Sequence, residues 1–326
     1  MERGFTVMGE IYVRFTADIG GCRLAETARF FRSIGGSAAM TAAAAAKLGM
    51  TPQIIGMTGA DSFGGFLSGT LRECGVRTET LFRTAAAATP KLFCAFPDDG
   101  TPEIEYDRNS AADLLLSERM ICGDWFSDTG ALYFGSGGLR SAAARGAQMA
   151  AIRYASAKNA LICYDYAPIP DMDGDAEAVS GADSFLAQAH MVAIGSESLP
   201  HLLDPTEPLS VLTEKMHGRR RLWVVFCSDG KVCLYTRSAE IVRQLPVVLR
   251  QGGRREAFLA AFLYCALQDH ADPRMLGGMP KEKLTRWLHV AAVSGMLYTD
   301  GRFPSKASLR MEIGRLRSCR SVGEAK

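Results

Sequence analysis

Residues 35–64 read GGSAAMTAAAAAKLGMTPQIIGMTGADSFG, and this stretch decides the fold. The alanine-dominated run 37–48 is a helix, entered through Gly35-Gly36 and closed by Gly49, the residue best able to end a helix in a left-handed turn. Residues 52–57 form a short apolar run bounded by turn formers and read as a strand. Residues 62–74 return to helical character and stop at Gly75. Helix, strand and helix in close succession is the grammar of an α/β protein.

Working outward, residues 5–15 are rich in β-formers, and 23–31 come back after Gly20-Gly21 as a hairpin off the main sheet. Runs 91–96 and 103–106 flank Asp98-Asp99-Gly100, a hairpin-type turn. From residue 131 the alternation is regular: strand 131–135, helix 141–158, strands 160–166 and 191–194, helix 208–216, strand 222–227. A hairpin (231–236 and 240–248) and helices at about 256–268, 281–298 and 305–317 complete the chain. Short apolar strands alternating with amphipathic helices predict a mostly parallel, doubly wound sheet covered on both faces.

The 326 residues carry 37 Lys plus Arg against 35 Asp plus Glu, a net charge of +2, so no global field draws in nucleic acid or anionic lipid. Hydrophobic residues at 48% and a mean hydropathy of +0.02 describe an ordinary globular protein with a sizeable core. Arg219-Arg220-Arg221 directly precedes an apolar strand and reads as its solvated entry. The nine cysteines are scattered without any Cys-x-x-Cys pair, which suits a reducing cytoplasm. The N-terminal segment lacks the apolar core of a signal peptide, and no apolar run reaches the ~18 residues that span a bilayer. A soluble, cytoplasmic protein is expected.

Two segments resemble the ribokinase-like (PfkB) carbohydrate kinases, nearest their fructokinase and 2-keto-3-deoxygluconate kinase branch. Gly35-Gly36-Ser37-Ala38-Ala39-Met40 resembles that family's Gly-Gly substrate loop, and Gly56-Met57-Thr58-Gly59-Ala60-Asp61-Ser62-Phe63-Gly64 its G-x-x-G-x-D-x-F-G signature. Gly252-Gly253-Arg254-Arg255-Glu256-Ala257-Phe258 resembles its Gly-Ala-Gly-Asp-Ala-Phe helix start. The resemblance spans nearly the whole chain. It implies one ribokinase-like domain over 1–326, a three-layer α/β/α sandwich whose small β-sheet lid is formed by about 11–34 and 91–108. It implies ATP and Mg2+ as cofactors, a sugar or sugar acid as acceptor, and is compatible with a homodimer formed through the lid.

The same resemblance assigns roles, and the chain departs from several. Glu256 stands where the family's catalytic Asp would be; it is either the base or an ordinary acidic residue in a helix's first turn. Gly253 keeps an anion-hole glycine, whereas Arg254 and Arg255 replace small residues. Either their side chains supply positive charge to phosphates, or the loop no longer cradles an anion. Arg14 replaces a sugar-contacting Asp, and Met40 the Asn of the Gly-Gly loop, so two polar anchors for sugar hydroxyls are missing.

Tyr106 and Arg108 follow the lid hairpin; Arg108 either holds a carboxylate or phosphate bidentately or is an exposed strand-end arginine. Asp165, at the end of a parallel strand, is a ligand contact or a turn cap. The nucleotide loop reads Val225-Phe226-Cys227 in place of Thr-Leu-Gly, leaving Ser228 and Gly230 as nucleotide-binding candidates. The Asn-x-x-Glu element for magnesium-bound water corresponds to Gly195-Ser196-Glu197-Ser198, with Glu197 one residue out of register.

Asp171-Met172-Asp173-Gly174-Asp175 lacks the Gly at position six and Glu at position twelve of an EF-hand and reads as a polar loop. P-loop and G-x-G-x-x-G fingerprints are absent, and the five histidines share no metal-ligand spacing. Two functions remain: an ATP-dependent kinase acting on a hydroxyl of a sugar or sugar acid, or a catalytically impaired relative that binds or regulates.

Overall fold

The computed structural model describes residues 3–99, 101–108, 111–167, 176–204, 206–207, 211–212, 221–249, 253–299 and 301–323, with the side chains of 176 and 317–323 left out. The polar loop read at 171–175 and most of the helix read at 208–216 lie outside the described residues.

Thirteen strands among the described residues divide into two sheets. They are β1 (Gly4–Met8), β2 (Tyr12–Ala17), β3 (Phe30–Gly35), β4 (Pro52–Gly59), β5 (Leu81–Thr84), β6 (Lys91–Ala95), β7 (Glu103–Asp107), β8 (Thr129–Gly135), β9 (Leu161–Tyr166), β10 (Met191–Gly195), β11 (Leu222–Phe226), β12 (Lys231–Tyr235) and β13 (Glu240–Gln244). The larger sheet runs β13-β12-β11-β10-β9-β8-β1-β4-β5, parallel except where β12 pairs antiparallel with β11 and β13. The smaller sheet runs β3-β2-β6-β7.

Among the described residues, seven α-helices accompany the larger sheet: α1 (Ser37–Lys47), α2 (Ser62–Glu73), α3 (Ala142–Ala157), α4 (Ala176–Gln188), α5 (Arg254–Gln268), α6 (Lys281–Leu297) and α7 (Lys306–Gly323). Strand side chains alternate between two cores, as the period of two demands. Ala131, Tyr133, Leu161, Cys163, Met191 and Ala193 face the helices α1, α5 and α6, whereas Leu132, Phe134, Ile162, Tyr164, Val192 and Ile194 face α3 and α4. The result is the expected three-layer, mostly parallel α/β/α sandwich with a second, smaller sheet. No helix among the described residues is long and apolar enough to cross a membrane.

The β-rich run 5–15 divides between the two sheets. Its break is at Gly9 (φ +148°), where β1 ends and the chain leaves for the smaller sheet. The returning segment 23–31 is a 3-10 turn at Leu24–Glu26 followed by β3. Two elements carry too weak a local pattern to be read beforehand: the four-residue β5, and α4, whose sequence AEAVSGADSFLAQ mixes Ser and Gly into its turns.

From β1 the sheet grows one way through β4 to β5 and the other way through β8, β9, β10 and β11. The winding therefore reverses between β1 and β8, and the crevice beyond their carboxyl ends is where open α/β sheets bind ligands.

Candidate active site

Two glycine turns bring α1 and α5 to that crevice. Gly36 links β3 to α1 at φ +93°, and a β-carbon there would sit 2.2 Å from the Glu10 carbonyl oxygen. Gly253 is the N-cap of α5, also at φ +93°, and a β-carbon there would lie 2.4 Å from the Tyr298 ring and 2.6 Å from the Met40 methyl. Met40, Ala257 and Tyr298 form one buried cluster. The Gly35-Gly36 loop and the Gly253 turn are thus neighbours, with Met40 as the apolar contact between them.

The signature at 56–64 plays a structural part. Asp61 caps α2 by accepting from the Gly64 N–H (2.8 Å), the Thr89 N–H (2.8 Å) and the Thr89 hydroxyl (2.7 Å). Burial opposes its charge, yet the hydrogen bonds from Thr89 and Gly64 win and hold its pKa below the usual carboxylate range. A β-carbon at Gly64 would lie 2.1 Å from the Gly59 carbonyl oxygen, so the turn closes only with glycine there.

The first turn of α5 sends three charged side chains in different directions. Arg254 donates to the carbonyls of Gly295 (3.3 Å) and Met296 (3.1 Å), bolting α5 to the end of α6. Arg255 pairs with Asp165 at the end of β9 and lies 4.8 Å over the Phe226 ring. The second oxygen of Asp165 accepts from the Tyr133 hydroxyl at 2.6 Å. Glu256 is half-buried; burial, reinforced by the charge of Asp165, pushes its carboxyl up to about 6. It remains ionised at neutral pH and can accept a proton there.

Beside this lies a narrow cleft, partly open to solvent, whose walls include Glu10, Arg108, Asp113 and Gln148. Arg108 is buried and pairs with both Glu10 and Asp113. Tyr106 contacts its guanidinium and stacks edge-on against Tyr12 at 5.1 Å. Burial pushes Asp113 up to about 6, with Glu10 adding to the rise and Arg108 opposing it. Asp113 and Glu10 were not among the sequence candidates. The Gly-Glu pair directly after the first strand was the available signal for Glu10, whereas Asp113 comes from a 3-10 turn with no pattern of its own.

Arg14 reaches from β2 and donates its Nε to Cys94 Sγ at 3.4 Å. Ser228 and Gly230 occupy the turn between β11 and β12, at the edge where Phe226 carries Arg255; Gly230 adopts φ +82°. The Glu197 carboxylate folds back over Gly195 at the end of β10. No trio of His, Cys, Asp or Glu suited to a metal occurs among the described residues.

The pattern described as pfkB family carbohydrate kinase matches residues 5–224. Probable fructokinase-5 of Arabidopsis thaliana is 31% identical over 230 residues, 70% of this chain and 70% of that protein. Fructokinase-2 of Zea mays is 31% identical over 231 residues, 70% and 68% of the two chains. The crystal structure of fructokinase from Xylella fastidiosa superposes with a TM-score of 0.86 at 26% identity, covering 97% of this chain and 100% of that one, and that enzyme has also been solved with bound ATP at the same similarity. These relatives are named as kinases, and nothing in the comparisons favours the non-catalytic alternative. With the fold, the glycine turns and the matched residues in agreement, the chain belongs to the pfkB family of carbohydrate kinases.

Proposed function

We propose that the protein transfers the γ-phosphoryl group of ATP to a hydroxyl of a sugar or sugar acid, with Glu256 as the base. The observation that carries this reading is the placement of an ionisable carboxylate one turn inside a helix whose amino end opens at the sheet's switch point. A base must sit within hydrogen-bond reach of the acceptor hydroxyl, and its pKa should lie near the working pH. Glu256, raised to about 6, meets the second condition.

The free N–H groups of the first turn of α5, behind Gly253, are suited to phosphate oxygens, since a helix N-terminus favours negative charge. Ser228 and Gly230 lie on the edge where the nucleotide would extend. Mg2+ would be carried here chiefly by the phosphates and water, as that ion usually is beside phosphate groups. When bound, it neutralises charge on the transferred group. Arg255, paired with Asp165, positions the first turn of α5. Arg254 does the same from the side of α6. Gly35, Gly36, Met40, Tyr106 and Arg108 wall the acceptor side.

The reading includes a single domain over 1–326, with 11–34 and 91–108 acting as a lid over the crevice. It also includes a dimer through the lid, supported by the exposed Phe31 and Ile104 of the smaller sheet, and a cytoplasmic setting, supported by the eight described cysteines being free thiols. Purified protein supplied with Mg-ATP and a panel of sugars and sugar acids should release ADP with at least one acceptor. Silence across the panel beside an active control kinase overturns the proposal.

A further inference from the structure

The charges around the crevice do not balance evenly. Arg108 faces two carboxylates, Glu10 and Asp113. Arg255 faces Asp165, and Arg254 faces the carbonyls at the end of α6. Among the described residues, Arg14 alone of these four arginines hydrogen-bonds to neither carboxylate nor carbonyl: its side-chain hydrogen bond is to a thiol, Cys94 Sγ at 3.4 Å.

Its position makes that imbalance chemical. Alternation along β2 puts Tyr12 and Arg14 on one face and the buried Val13 on the other. Tyr12 stacks on Tyr106, which touches Arg108 at the wall of the cleft, and Arg14 is paired across the ladder with Ser33, two residues before Gly35. The positive charge of Arg14 also reaches Glu256, whose carboxyl it pulls down against burial. Arg14 is half-buried, so its charge has lost part of its hydration, and among the described residues it makes no contact ion pair, Glu256 acting on it only from beyond that range. With Nε engaged by sulfur, the two terminal nitrogens remain as a fork that matches the two oxygens of a carboxylate or phosphate.

We propose that Arg14 is a specificity-determining residue that selects an acceptor bearing an anionic group, a carboxylate or a phosphate, over a neutral sugar. The inference rests on the kinase reading above and deepens it. It assigns the selection to Arg14 because Arg108, the other candidate, already has its charge answered twice.

The test compares wild type, Arg14→Gln and Arg14→Asp with D-gluconate, fructose 1-phosphate and D-fructose. ADP release and the thermal shift produced by each acceptor are read separately. In the wild type, one of the two anionic acceptors should exceed fructose by about 10- to 100-fold in kcat/KM or in affinity. Which of the two does so identifies carboxylate or phosphate. The ratio should collapse toward one in Arg14→Gln and invert in Arg14→Asp. Turnover with fructose preferred, and a ratio unmoved by Arg14→Gln, overturns the proposal and leaves the kinase reading intact. An Arg14-dependent shift with gluconate or fructose 1-phosphate but no ADP supports the anion site and sinks the kinase reading. Neither shift nor turnover with any acceptor overturns both.

Discussion

Asp165, at the end of β9, accepts hydrogen bonds from the Tyr133 hydroxyl at 2.6 Å and from Arg255, the second residue of α5, so one carboxylate ties two sheet strands to the helix that opens the crevice. Both partners of the ion pair are largely buried. Removing one partner of such a pair strands the other charge. Arg255→Ala should therefore lose about 3–5 kcal/mol in urea unfolding, and Arg255→Gln with Asp165→Asn together should recover a good part of it. A double variant whose loss equals the sum of the Arg255→Gln and Asp165→Asn losses would show that the pair is not coupled.

Glu256 should govern the acid limb of activity. A base with a pKa of about 6 is protonated, and inactive, below that pH, so kcat/KM should rise through about pH 6 to a plateau. Glu256→Gln should lower kcat by ~10²–10⁴-fold and abolish that limb, leaving the KM for ATP little changed. A variant that keeps wild-type turnover removes Glu256 from the mechanism.

The same group should cost stability. Its folded pKa is raised from 4.5 to about 6, so the folded state holds the proton more tightly than the unfolded chain. Its favourable contribution is present below about pH 4.5 and is lost as pH rises through 6, about 2 kcal/mol in all. Thermal melts of Glu256→Gln should show a shallower decline between pH 4.5 and 6.5, and a higher Tm at pH 7 than wild type. A steeper decline contradicts the assignment.

Asp61 has the opposite sign. Its lowered pKa means that its stabilisation is present above about 3.8 and disappears as pH falls through the folded value. Asp61→Ala should destabilise by about 3 kcal/mol at neutral pH, because an N-cap and two bonds to Thr89 go together. Asp61→Asn should lose stability less steeply than wild type as pH falls below 4, which scanning calorimetry can read directly.

The two glycine turns should differ in tolerance. Both sit at φ +93°, but a β-carbon at Gly36 meets the backbone carbonyl of Glu10, whereas at Gly253 it meets a tyrosine ring and a methionine methyl that can shift. Gly36→Ala should cost more than Gly253→Ala, with about 1–3 kcal/mol for the latter. A smaller loss at Gly36 would mean that the β3–α1 turn yields.

Local order was legible from the chain alone. Alternating short apolar runs and helical stretches, each punctuated by glycine, dictated a doubly wound sheet, because backbone periodicity and turn chemistry act over a few residues. The motifs at 35–40, 56–64 and 252–258 were legible for the same reason, and so was the family they point to.

What the charged side chains do was decided only by tertiary structure. Nothing local distinguishes Arg254, which ends on the carbonyls of α6, from Arg255, which ends on Asp165 some ninety positions earlier in the chain. Arg108 looked available until folding brought Glu10 and Asp113 to it, whereas Arg14, among the described residues, came to rest on the thiol of Cys94. Ion pairing depends on distances of a few ångströms between residues remote in sequence, and only the packed chain sets those distances.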